Sequence, residues 1–76
     1  MRYTVIGIEK VNYTNKSGVV VEGLRIHLTF EKKNCDGLAV ETVFMSYDLG
    51  AGLSVGNEIE LYYNKFGRPA HVAILA

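Results

Sequence analysis

Val19-Val20-Val21-Glu22-Gly23-Leu24-Arg25-Ile26-His27-Leu28-Thr29-Phe30 is the stretch that decides the fold. Its second half alternates strictly: Leu24, Ile26, Leu28 and Phe30 fall on one side, Arg25, His27 and Thr29 on the other. A period of two is that of an extended chain whose side chains point to opposite faces, so this segment reads as a strand with one buried face. Gly23 interrupts the first half and is expected at a bend or bulge of a strongly coiled strand.

Working outward, Tyr3 to Tyr13 is rich in Val, Ile, Tyr and Thr and ends at Asn15-Lys16-Ser17-Gly18, a cluster with turn composition. A first strand and a hairpin therefore precede the central one. On the other side, Asp36-Gly37 forms a tight turn, because glycine accepts positive φ without steric cost, and a third strand runs from about Leu38 to Tyr47. Gly50, Gly52 and Gly56 make Asp48 to Gly56 a connector, with at most one short helical turn within Leu49 to Ser54. Ile59, Leu61 and Tyr63 alternate with Glu58, Glu60 and Tyr62 in a fourth strand. After the turn Asn64-Lys65-Phe66-Gly67 comes a fifth strand, Arg68 to Leu75, with Pro69 at its start, where a missing donor is tolerated. Nothing repeats internally.

The expected fold is all-β: over residues 1–76, one small five-stranded antiparallel barrel or half-barrel of the oligonucleotide/oligosaccharide-binding (OB) type, with a short or absent helix between strands 3 and 4. An SH3-like barrel is the rival. A chain of 76 residues is one domain near the lower limit for folding without disulfides or metals. Surface scaling gives roughly 4,600 Å² for the compact folded monomer. Apolar burial then contributes about 110 kcal/mol, close to an ordering cost of ~1.5 kcal/mol per residue, so self-association as a homodimer is expected.

Eight basic residues balance eight acidic ones, so no whole-molecule field attracts a polyanion, and any such site must come from local segregation of charge. Cys35 is the single cysteine and cannot form an intramolecular disulfide. The segment Tyr3 to Val11 is broken by Thr4, Gly7, Glu9 and Lys10, so it does not resemble a signal region, and no apolar run approaches the ~20 residues that span a bilayer. A cytoplasmic protein without membrane association is expected.

Catalytic chemistry finds no support in the spacing. His27 and His71 lie in strands and Asp36 and Asp48 in connectors, with nothing to enforce a triad or an acid–base pair. One cysteine and two distant histidines lack metal-ligand spacing. The glycines match neither a dinucleotide fingerprint nor a phosphate loop. The expectation is a non-enzyme with no metal and no small-molecule cofactor.

What remains is a surface pattern. Aromatic residues are all Tyr or Phe, and Tyr13, Tyr47, Tyr62 and Phe66 stand beside turns or on the polar side of strands. Lys16 lies near Tyr13, Lys65 and Arg68 flank Phe66, and Arg25 and His27 share the outward face of the second strand. Bases stack on aromatic rings while cations neutralise phosphates, so this combination suits sequence-tolerant binding of single-stranded DNA or RNA. The same aromatics equally suit a protein interface with a charged rim.

The segments Lys10-Val11-Asn12-Tyr13 with Ser17-Gly18, Val21-Glu22-Gly23-Leu24-Arg25, and Val55-Gly56-Asn57-Glu58-Ile59 with Tyr63-Asn64-Lys65-Phe66-Gly67 resemble small proteins of phages and conjugative elements. Those are grouped with the helix-destabilising single-stranded DNA-binding proteins of filamentous-phage type. The resemblance implies an OB-like barrel, a dimer, and protection of single strands during DNA replication or transfer. This electroneutral chain departs from that pattern in its charge. Two functions stand open: a single-stranded DNA-binding protein, and a protein-interaction or dimerisation module.

Overall fold

The alternation of Leu24 to Phe30 is realised in β2 (Val20–Phe30), which pairs with β1 (Arg2–Thr14) on one side and β3 (Ala39–Met45) on the other. The computed structural model describes residues 2–76. A one-turn helix, α1 (Tyr47–Gly50), follows β3, and β4 (Glu58–Tyr63) and β5 (Pro69–Ile74) complete a single antiparallel sheet in the order β3-β2-β1-β4-β5.

Leu24, Ile26 and Leu28 project inward as the alternation requires, joined by Val5, Val43, Met45, Leu53, Ile59 and Leu61 in one apolar core. Ile26, Leu28 and Ile59 are wholly shielded from solvent. Tyr3 closes one end of this core, its ring edge-on to Phe30 with centroids 5.4 Å apart. Burial pushes its phenol up to about 12, and Tyr63 and Glu41 add to the shift. Beneath α1, Ser46 supplies the N-cap: its hydroxyl accepts from the Leu49 amide at 3.2 Å.

Several expectations need correction. The sheet does not close into a barrel. Its edge strands β3 and β5 approach each other where Phe44, Met45 and Ser46 face Arg68 and Pro69, but a cleft lies between them and, among the described residues, no strand pairing bridges it. Tyr47 opens the helix instead of ending the third strand, because the Ser46 cap already turns the chain. The helical turn accordingly starts two residues before Leu49. Gly23 is not a bulge. The register of β1 against β2 shifts between Val5 and Gly7, leaving Ile6 as the extra residue, whereas Gly23 pairs regularly with Val11. Tyr63 does not join Ile59 and Leu61 in the buried core: it ends β4 beyond the Arg2–Glu60 pair, the last between β4 and β1 among the described residues, and is exposed, while the register shift beside it leaves Ala70 of β5 as the extra residue.

β1 and β2 continue beyond their neighbours. β3 reaches no further than the Leu24–Met45 pair, so Val11 to Thr14 and Val20 to Gly23 project as a two-stranded ribbon. The molecule is correspondingly elongated, 42 × 25 × 25 Å. Among the described residues no helix is long and apolar enough to cross a membrane.

Candidate nucleic-acid interface

In an antiparallel sheet, directly opposed residues share a face, so the ladder assigns the outer surface row by row. Glu9, Arg25 and Phe44 form one row, and Gly7, His27 and Thr42 the next. Toward the ribbon come Val11 with Gly23, then Tyr13 with Val21. Arg25 and His27 thus stand outward on adjacent rows, as their alternation with the core leucines demands.

Both are already engaged. Arg25 Nη1 donates to Glu9 Oε2 at 3.4 Å, and His27 Nε2 lies 2.8 Å from Glu9 Oε1. A carboxylate only accepts, so His27 turns an N–H at Nε2 to Glu9, while its Nδ1 lies 3.0 Å from Thr42 Oγ1, within hydrogen-bond distance. The hydrogen bond from His27 does most to hold the Glu9 carboxyl below its usual range; desolvation opposes it, and the Arg25 charge, a smaller effect than desolvation, adds to the lowering. With Glu9 beside Arg25, this row carries one charge of each sign, and phosphate must compete with the carboxylate for the guanidinium.

Phe44 belongs at the centre of this patch and was absent from the sequence-derived set. Its ring is half exposed and leans across Gly23, where a Cβ would run into Phe44 Cζ. The signal was present in the alternation of Val43 and Met45, both buried, with Phe44 between them. Arg68 is brought to the same area: it lines, with Phe44, Ser46, Leu49 and Pro69, the cleft of about 530 Å³ between β3 and β5.

Lys16 and Lys65 prove to occupy equivalent positions. Asn15-Lys16-Ser17-Gly18-Val19 and Asn64-Lys65-Phe66-Gly67-Arg68 are the same loop built twice. In each, the Asn side-chain oxygen accepts from the amides two and four residues on, at 2.9 and 3.1 Å, and a glycine takes positive φ, 80° at Gly18 and 75° at Gly67. An Asn-Lys-x-Gly unit therefore does recur, at the scale of a turn. Each loop presents its lysine at a hairpin tip, and Lys65 Nζ sits 5.2 Å above the exposed Phe66 ring.

Two predicted residues fall elsewhere. Tyr47 lines a separate hollow with Ile8, Lys10 and Leu24, and its hydroxyl donates to the Val11 carbonyl at 3.1 Å, pinning the base of the ribbon. Tyr62 lies on the β4–β5 hairpin against His71, ring centroids 5.6 Å apart, and donates to Glu60 at 2.7 Å, which holds its phenol above the ordinary range. Tyr13 stands on the outer face of the ribbon, exposed and two rows from Arg25. Among the described residues no group of three His, Cys, Asp or Glu side chains gathers as a metal site would require. Compared with protein-family models, curated proteins and solved structures, the chain matches none.

Proposed function

We propose that the protein is a non-catalytic, cytoplasmic single-stranded DNA-binding module of the kind phages and conjugative elements use during replication or transfer. One observation carries this reading. Exposed aromatic and cationic side chains stand on the β2–β3 face, at Arg25 and Phe44 beside the half-buried His27, and on the β1–β2 and β4–β5 loops, at Lys16, Lys65, Phe66 and Arg68, although Lys10, Lys32, Lys33 and Tyr62 are exposed elsewhere. Those are the three surfaces through which five-stranded barrels of this strand order take oligonucleotides. Bases would stack on Phe44, Tyr13 and Phe66 while the cations meet phosphates.

The Glu9–Arg25 pair favours a second reading, in which the same face is a protein interface whose charges are already internally matched. Titration of a labelled single-stranded oligonucleotide and its duplex at two salt concentrations separates the two. Nucleic-acid binding weakens steeply with salt, and stacking quenches tyrosine fluorescence, which no tryptophan obscures. Absence of binding at low salt would end the first reading.

A further inference from the structure

β1 has two edges, and only one of them is used along its length. Toward β2 it is paired from Thr4 to Thr14, whereas β4 covers it over Arg2–Thr4 alone. Val5 then donates to the Asn57 carbonyl at 2.9 Å and accepts from the Gly56 amide at 2.8 Å. Among the described residues no strand lies beyond Val5 on that side.

Which backbone groups are left over follows from the hairpin. The Asn15 amide donates to the Val19 carbonyl and the Asn15 carbonyl accepts from the Gly18 amide, so Asn15 turns both groups toward β2. Bonded pairs of an antiparallel ladder recur at every second residue, so Tyr13, Val11 and Glu9 exchange bonds with Val21, Gly23 and Arg25. Thr14, Asn12, Lys10 and Ile8, lying between them, point N–H and C=O away from β2. Val5 agrees from the other end: one residue is inserted at Ile6, and Val5 turns both of its groups to that same outer side. The edge from Ile8 to Thr14 thus presents a row of donors and acceptors with no backbone partner among the described residues.

Beside this edge, on the core side of β1, lies a hollow of about 510 Å³. Ile8, Leu24 and Leu53 give it apolar walls, while Gly50 and Ala51 at the end of α1 add little bulk. Lys10 lines it too, is exposed, and makes no ion pair among the described residues. A lysine on an edge discourages indiscriminate strand pairing, so this edge selects a partner that neutralises it.

We infer that the Ile8–Thr14 edge of β1 takes an extended peptide of a partner protein as an added antiparallel strand, with an acidic side chain opposite Lys10 and a large apolar one opposite Ile8, in the hollow. Strand addition draws its affinity from main-chain bonds and its specificity from pockets for alternate side chains. Between those two peptide residues lies the one opposite Glu9, on the other face, where a basic side chain is matched. Read from its N-terminus, the peptide is therefore acidic, basic, then apolar. A second copy of this chain does not meet these demands. Overlapping Ile8–Thr14 with itself sets Lys10 opposite Asn12, Glu9 opposite Tyr13 and Ile8 opposite Thr14. The inference stands on the edge and the hollow, and does not require that the β2–β3 face bind nucleic acid.

The probe is the capped peptide Thr-Val-Thr-Val-Glu-Lys-Leu, whose residues fall opposite Thr14 to Ile8 in that order. Amide hydrogen exchange followed by NMR, without oligonucleotide, should show the Lys10, Asn12 and Thr14 amides slowing when it is added. Those of Val11 and Tyr13, already bonded to β2, should change little. Lys10→Glu should weaken this peptide about tenfold and bind instead the peptide with Lys in place of Glu, with circular dichroism unchanged. Asn12→Pro deletes one edge donor without touching the β2 ladder and should abolish binding. No slowing at millimolar peptide overturns the proposal, as does slowing confined to β2 or β3 amides, or equal affinity of Lys10→Glu for the two peptides. If the three amides are already slow in the free chain and quicken on dilution, a second copy holds the edge and the peptide assignment falls.

Discussion

Phe44 and Gly23 face each other across β2 and β3, the ring occupying the space where a side chain on residue 23 would stand. A Cβ there would also lie 2.7 Å from the Met45 carbonyl oxygen. The ring can swing aside, but the carbonyl belongs to the backbone and cannot. Gly23→Ala is therefore expected to destabilise the fold by about 1–3 kcal/mol through overpacking, and to displace Phe44. An unchanged melting temperature for this variant would contradict the close approach.

Leu28 is wholly buried in the middle of β2, with Val5 opposite it on β1 and Glu41 on β3. Leu28→Ala leaves a cavity that a sheet held on both sides cannot collapse, and should cost about 2–5 kcal/mol in denaturant unfolding.

Glu9 and Arg25 provide a paired test of the proposed interface. Arg25→Ala removes an exposed ion pair and should leave stability within about 0.5 kcal/mol. Single-strand binding should weaken, its salt dependence flattening by about 0.7 in the log–log slope. Glu9→Gln should do the reverse, freeing the guanidinium and steepening the slope. Equal salt slopes for both variants would show that Arg25 contacts no phosphate.

Phe44→Ala, in contrast to Tyr62→Ala, removes the aromatic ring beside Arg25. A loss of about 1–3 kcal/mol in oligonucleotide affinity is expected for Phe44 if a base stacks there, with a smaller effect at Tyr62 on the separate hairpin. The reverse order would move the stacking platform to β4–β5.

Tyr3 makes stability depend on alkaline pH. Its phenol holds its proton up to about 12 in the folded chain against 10 in the unfolded one. The unfolded state therefore loses the proton first, and the contribution is fully present below pH 10 and is lost as pH rises through 12. Tyr3→Phe should abolish this component of the decline in thermal unfolding measured across that window. A decline of the same size in Tyr3→Phe would place its origin elsewhere.

The residues of β2 could be assigned to faces from the sequence alone, because Leu24 to Phe30 alternates without exception and a strand offers only two faces. The same is true of the β4 core residues Ile59 and Leu61, and of both Asn-Lys-x-Gly turns, whose conformation is dictated by local side-chain hydrogen bonds and a glycine. β1 was different. Its apolar residues Val5, Ile6 and Ile8 are compatible with more than one register, and nothing local chooses between them.

Tertiary pairing made that choice, and with it the site. Before the bulge, Val5 stands opposite Leu28, and continuing that register would set Glu9 opposite Leu24 on the core face. The extra residue at Ile6 slips the strand by one, and a slip of one exchanges the two faces of a strand. Glu9 then meets Arg25 and His27 on the outside, and Ile8 packs against the core. Composition and alternation thus determined a five-stranded antiparallel sheet with Arg25 and His27 facing out. Which carboxylate neutralises them, that Phe44 joins them over Gly23, and that β3 and β5 approach without pairing depend on contacts between residues far apart in the chain, and only the packed sheet decides those.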